Sequence, residues 1–144
     1  MQLVQYRLAD GQIHGLYDSE NQALLDAQRQ VDDPTYGYIV AETPLPPQEQ
    51  ERYEVQGGVI VAKAQLVIEA DPLTFAADGI DECLVTVEPW HACTLLVNGQ
   101  PYALTNDEPF LAITADVPRV FGLRLQLMPG YWATPISVEA VPSA

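Results

Sequence analysis

The chain has 144 residues, 48% of them hydrophobic, with six basic against twenty acidic side chains and a formal net charge of −14. That length fits one ordinary domain or two very small ones, and the apolar content is too high for a disordered chain. The six cations (Arg7, Arg29, Arg52, Lys63, Arg119 and Arg124) are scattered. The clustered positive charge that binds phosphate is missing, and nucleic-acid binding is excluded.

In chain order, Leu3 to Leu8 alternate as a strand, Asp10-Gly11 reads as a two-residue turn with positive φ at both positions, and Ile13 to Tyr17 return. Ser19 with Gln22 three residues on forms a capping box, and Leu24, Ala27 and Val31 stripe a short helix that Asp32-Asp33-Pro34 stops. Tyr36 to Glu42 is a further strand; Tyr36 and Tyr38 share one of its faces. Thr43 to Glu51, with prolines at 44, 46 and 47, reads as an extended arm. A second hairpin follows, Arg52 to Gln56 and Val59 to Ala64 around Gly57-Gly58, echoing the first.

From Gln65 onward short strands recur at steady spacing: Gln65–Glu69, Leu73–Ala76, Glu82–Val87, Ala92–Val97, Gln100–Leu104, Pro109–Thr114, Val120–Leu127 and Pro135–Glu139. Turns fall at Asp78-Gly79, Asn98-Gly99, Asn106-Asp107 and Pro129-Gly130. Such spacing predicts a sandwich or barrel. Leu123, Leu125 and Leu127 alternate with Arg124 and Gln126, giving one buried and one wet face. The expected fold is therefore mainly β: a small N-terminal α+β hairpin module over 1–42, the Pro-rich arm and second hairpin over 43–64, and an immunoglobulin-like antiparallel β-sandwich over 65–144.

The candidate chemistry is sparse. His91 and Cys93 are two residues apart, yet no orienting acid is evident, and the Pro89-Trp90-His91 corner accounts for His91 as a turn residue. Catalytic residues, cofactors and metal ligands are expected to be none. Asp78, Asp81 and Glu82 cluster around Gly79. Their spacing fits no calcium-binding helix-loop-helix, and an acidic turn is the simpler reading. If the strands holding Cys83 and Cys93 pair around the corner, the cysteines lie several residues apart along the ladder, and free thiols are expected rather than a disulfide. Trp90, Tyr131 and Trp132 stand near loops, where aromatic rings stack on sugars, anchor a partner or close the ends of a sandwich. No apolar run reaches the roughly 20 residues needed to cross a membrane. Met1 to Gln5 lacks the marks of a signal peptide, so synthesis and initial residence in the cytoplasm are expected.

Ala77-Asp78-Gly79-Ile80-Asp81, the strand and hairpin Cys93-Thr94-Leu95-Leu96-Val97-Asn98-Gly99-Gln100-Pro101-Tyr102, Pro129-Gly130-Tyr131 and Ser137-Val138-Glu139-Ala140 resemble the immunoglobulin-like domains of tailed-bacteriophage virion proteins. The resemblance covers the second half of the chain. It implies a structural virion component: a minor tail, baseplate or fibre-associated protein, with a capsid decoration protein or a carbohydrate-binding module as alternatives. Its partners would be other virion proteins, met in several symmetric copies, with weak glycan contact and neither nucleic acid nor membrane insertion. Docking through Tyr36, Tyr38, Leu45 and Tyr53 would leave the sandwich to project outward.

Overall fold

A computed structural model describes residues 2–18, 34–41 and 43–143. The helix expected between Ser19 and Val31 lies outside the described residues. The fold is mainly β, and the chain divides into two compact units rather than three segments: Met1–Ala64 with Leu127–Tyr131, and Gln65–Gln126 with Trp132–Ala144. The Pro-rich segment and the second hairpin, expected to stand apart over 43–64, belong to the first unit.

In the first unit, β1 (Gln2–Arg7) is the centre of a three-stranded antiparallel sheet between β2 (Ile13–Asp18) and β3 (Tyr36–Ala41). One face of this sheet packs into a small core of Val4, Ile13, Ala41, Leu45 and Val55, with Tyr53 and Ile60 against it. Val55 and Ile60 come from the two-stranded hairpin of β4 (Tyr53–Gln56) and β5 (Val59–Ala62). Gly57 and Gly58, both with positive φ, form the tight two-residue turn expected between these strands.

The first hairpin departs from expectation. Only Gly11, at φ 75°, is left-handed. The loop is wider, closed by Arg7 N–H to Gln12 O and by Gly11 N–H to Arg7 O, each 2.8 Å. Asp10 does not take a positive φ, and its carboxylate works locally, holding the Arg7 guanidinium and accepting the Gln12 N–H at 3.1 Å. Gly11 itself is needed for close approach. A Cβ there would stand 2.1 Å from Val55 O, and Val55 N–H donates to Gly11 O at 2.8 Å.

The expected arm is not extended and free. Pro47–Arg52 forms a 3-10 helix. Leu45 is buried, and the wholly buried Gln2 side chain clamps it from both sides: Leu45 N–H donates to Gln2 Oε1 at 2.7 Å, and Gln2 Nε2 donates to Leu45 O at 2.9 Å. Prolines at 44, 46 and 47 remove ladder donors, so one glutamine amide supplies the pairing a neighbouring strand would have given.

The second unit is the sandwich. Its four-stranded sheet runs β11-β8-β6-β13, where β6 is Ala64–Asp71, β8 Cys83–Glu88, β11 Leu111–Ile113 and β13 Tyr131–Ala133. Its five-stranded sheet runs β10-β9-β12-β14-β7, where β7 is Thr74–Ala76, β9 Cys93–Val97, β10 Gln100–Leu104, β12 Arg119–Leu125 and β14 Ile136–Val141. The eight strands expected from spacing all form; β13 is an addition. With β6, β8 and β11 in one sheet and β9, β12 and β14 in the other, the strands follow the immunoglobulin arrangement, to which β7, β10 and β13 are added at the edges. The five interior strands bury alternate residues: Leu66 and Ile68, Cys83, Val85 and Val87, Leu95 and Val97, Phe121, Leu123 and Leu125, Val138 and Ala140. Burying each such Leu, Val or Phe contributes about 1.5–3 kcal/mol relative to leaving it exposed.

Two expectations about the sandwich are corrected. The strands carrying Cys83 and Cys93 do not pair. Both edges of β8 are taken, by β6 and β11, and both edges of β9 by β10 and β12, so the Pro89–Ala92 corner crosses between sheets. The cysteines are free, as expected, but for this different reason. Nor is the sandwich wholly antiparallel: β7 lies parallel to β14, with Glu139 opposite Thr74. The chain leaves β6 in one sheet and joins the other at its far edge without reversing at a hairpin, which sets the parallel sense.

Candidate docking surfaces

The residues expected to dock divide between two faces of the first unit's sheet. Tyr36 and Tyr38 do share a face, the one opposite the core. Tyr38 sits directly across from Gln5, whose Nε2 donates to the Tyr38 hydroxyl at 2.9 Å, while Gln5 Oε1 accepts from the Tyr17 hydroxyl at 3.0 Å. A buried glutamine thus fixes two tyrosine hydroxyls on one face, and Tyr36 lies tilted against His14 with ring centroids 4.6 Å apart. Leu45 and Tyr53 point the other way, into the core, where they hold the unit together. An apolar side chain among prolines reads equally as a docking anchor or as core, and only the tertiary clamp from Gln2 separates the two.

The three loop aromatics do not gather. Trp90, at the corner after β8, is 39% exposed and donates its indole N–H to Asn106 Oδ1 at 3.0 Å. Tyr131 and Trp132 are neighbours on β13, both half-buried; Tyr131 belongs to the first unit and Trp132 to the second. His91 directs Nδ1 at the Ala92 carbonyl, 2.7 Å away. Burial pushes the Cys93 thiol up, the opposite of the shift that makes a cysteine nucleophilic. Burial raises Cys83 likewise, with a smaller opposing hydrogen bond from the Asp71 backbone.

Around Gly79, Asp78 Oδ1 accepts the N–H groups of Asp81 and Ile80, each at 2.8 Å, and these bonds hold its carboxyl below the ordinary range. The carboxylate thus caps its own turn, the simpler of the two readings of this cluster. Among the described residues, no group of three or more His, Cys, Asp or Glu is placed to hold a metal ion.

A polar cluster in the first unit was not anticipated. Gln12, Glu54 and Lys63 are buried together. Glu54 accepts from Gln12 Nε2 and Gly130 N–H, each at 3.0 Å, and from Gln56 Nε2 at 2.7 Å. Lys63 Nζ donates to Gln12 Oε1 at 2.5 Å. Burial pushes the Lys63 ammonium down, against the opposing pull of Glu54, Glu51 and Asp10. The signal was present: Lys63 is the one lysine of the chain, set in the apolar run from Val59 to Ala64. Gly130 returns a second bond, accepting Ala64 N–H at 2.9 Å. The cluster thereby pins the segment 127–131 into a unit whose other residues end at Ala64.

The five-stranded sheet offers a different surface. Alternation and register place Thr94, Leu96, Pro101, Ala103, Val120 and Arg124 on its outer face. Val120 is 57% exposed. A groove of about 300 Å³ crosses this face over Gly122, bordered by Asn98, Arg124, Pro135 and Ile136. Asn98, at the turn after β9, brackets Gly122: its N–H donates to Gly122 O at 2.9 Å, and its Oδ1 accepts Gly122 N–H at 2.8 Å.

Comparison of the chain with protein-family models, with curated proteins and with solved structures finds no match in any of the three.

Proposed function

We propose that the chain is a structural component of a tailed-phage virion, a minor tail, baseplate or fibre-associated protein that works by docking. The motif resemblance of the second half supports this, and so does the immunoglobulin-like strand order of the second unit. The observation that carries the reading is where the buried polar groups go. Gln2 clamps a backbone, Gln5 fixes two tyrosine hydroxyls, and Gln12, Glu54 and Lys63 satisfy one another. Among the described residues, every buried side-chain nitrogen and oxygen has a partner. This polar chemistry maintains the fold, and contact with other proteins is left to the surfaces. Docking falls to Tyr36 and Tyr38 with Tyr17, on the face away from the core; Leu45 and Tyr53 are structural.

Quantitative mass spectrometry of purified particles of the encoding phage tests this. A few to dozens of copies per particle is the expected result. Hundreds would make it a capsid decoration protein, and clear absence would overturn the virion reading. A carbohydrate-binding role has one observation in its favour, the exposed Trp90 whose orientation Asn106 fixes. It requires glycan affinity that Trp90→Ala removes.

A further inference from the structure

The one lysine of the chain is buried against a carboxamide. Lys63 Nζ stands 2.5 Å from Gln12 Oε1. A carbonyl bond is about 1.23 Å long, so Nζ lies within about 3.7 Å of the Gln12 Cδ carbon. Near-attack geometry places reacting atoms about 3–3.5 Å apart. On the other side of the same carboxamide, Gln12 Nε2 donates to Glu54 Oε2 at 3.0 Å and to Asp10 O at 3.2 Å. An amine, an acyl carbon and a carboxylate therefore meet at one amide group. A buried lysine ordinarily pairs with a carboxylate. Here its hydrogen bond goes to the carboxamide oxygen, and the carboxylate takes the carboxamide nitrogen.

Paired backbone holds these side chains together. Gln12 and Glu54 face each other in an antiparallel bridge, beside the Val55 N–H to Gly11 O bond of 2.8 Å. Lys63 follows β5, and its own N–H donates to Arg52 O at 2.8 Å, just before β4. Gln12, Glu54 and Lys63 are 1%, 2% and 6% exposed, which keeps bulk water from the group. Holding a nucleophile against its target in such a site raises its effective concentration to about 10⁵–10⁸ M in well-oriented cases. Burial also pushes the Lys63 ammonium down, which increases the share of free amine, the nucleophilic form.

We propose that Gln12 and Lys63 join in an intramolecular isopeptide bond, made by the chain itself with Glu54 as the proton carrier. The free amine of Lys63 moves from the Oε1 lone pair to a position over the amide plane and attacks Cδ. The Nζ–Cδ bond forms, and the carbonyl electron pair moves onto Oε1. Nζ now shares a carbon with Nε2 and comes within reach of Glu54. The carboxylate takes one proton from Nζ and passes it to Nε2. The Cδ–Nε2 bond breaks, the carbonyl forms again and ammonia leaves. One amide replaces another, nothing is oxidised or reduced, and the Nζ proton ends on the ammonia. Escape of ammonia to solvent draws the exchange forward. Freshly folded chain at neutral pH keeps Lys63 as the ammonium, and the bond accumulates as higher pH releases the amine. The link ties the head of β2 to the end of the hairpin of β4 and β5, 51 residues on. Like a disulfide, it restricts the unfolded chain, and more so for a long loop. The inference does not rest on the virion reading, because every reacting atom lies in this chain.

Intact-mass spectrometry of the purified full chain, held for days at about pH 9, reads the reaction. A species lighter by one ammonia, about 17 Da, is expected to accumulate. Trypsin then releases one branched peptide that joins residues 8–29 to residues 53–119, uncut after Lys63. The branch separates this loss from the equal loss by cyclisation at Asn98-Gly99. Lys63→Arg keeps the cation and gives no branched peptide. Glu54→Gln slows its appearance at least about a hundredfold, since positioned proton transfer contributes about 10²–10⁴-fold. Urea abolishes it by releasing the three side chains from one another. A native chain that yields no branched peptide overturns the inference, whatever the variants do. So does a branched peptide that forms as fast in urea or in Glu54→Gln.

Discussion

Replacing Glu54 with leucine tests whether the buried polar cluster is what completes the first unit. The carboxylate is 2% exposed and accepts three hydrogen bonds, from Gln12, Gln56 and Gly130. Leucine fills similar space but accepts none. The Gly130 N–H and a Gln12 amide hydrogen are left without partners, each at a cost of about 1–3 kcal/mol where no water enters. The Lys63 ammonium, bonded to Gln12, also loses the Glu54 charge that most opposes the effect of its burial. These terms overlap, so about 3–5 kcal/mol is expected in all, against a stability of about 5–15 kcal/mol for a whole domain. Both tryptophans, Trp90 and Trp132, lie in the second unit, so fluorescence would report the sandwich. Native-state hydrogen exchange is the right assay. Protection of the β1 amides should fall by about a hundredfold to a few thousandfold, at 1.4 kcal/mol per decade, while β12 amides keep theirs. Glu54→Gln retains an acceptor for Gly130 and should lose much less. A change in β1 protection below about fivefold for the leucine variant would refute the assignment of Glu54 as the centre of the cluster.

Three further outcomes follow from the same contacts. Because burial lowers the Lys63 pKa, the unfolded chain binds its proton more tightly between the depressed folded value and the ordinary lysine value of 10.5. Stability of the first unit should therefore rise with pH through that window; urea midpoints of Lys63→Met should lack this slope. Leu45→Ala should destabilise the first unit by about 2–5 kcal/mol as a core truncation, read by the same exchange experiment; a loss below about 0.5 kcal/mol would return Leu45 to the surface role expected of it. Cys83 and Cys93, both buried with raised pKa values, should react with a thiol reagent at neutral pH only after urea is added. Rapid labelling of Cys93 in the native protein would revive a nucleophilic role.

The sandwich was legible in the sequence because its information is local. Alternation over five to eight residues sets which side chains face inward, and Asn98-Gly99 and Gly57-Gly58 set two tight hairpins by their own backbone preference, with positive φ at all four residues. Which sheet each strand joins was not legible in that way. The neighbours of β8 and β9 depend on competition for ladder edges among strands far apart in sequence, and β7 pairs parallel with a strand more than sixty residues on. The same limit hid the division into units. Nothing local in Pro129-Gly130 says that its backbone bonds to Glu54 and Ala64, and nothing in Pro44-Leu45-Pro46 says that Gln2 clamps it.

For the surfaces, the sequence by itself determined composition: an acidic chain, a strand with Arg124 between leucines, tyrosines spaced to share a face. Only the tertiary structure decided which of these face outward together. Leu45 became core because Gln2 clamps its backbone beside the cluster of Val4, Ile13 and Val55, and Tyr53 because it packs against that same cluster. Side-chain period is written residue by residue along one strand, whereas a surface is made of several strands, and their register is fixed only when the sheets close.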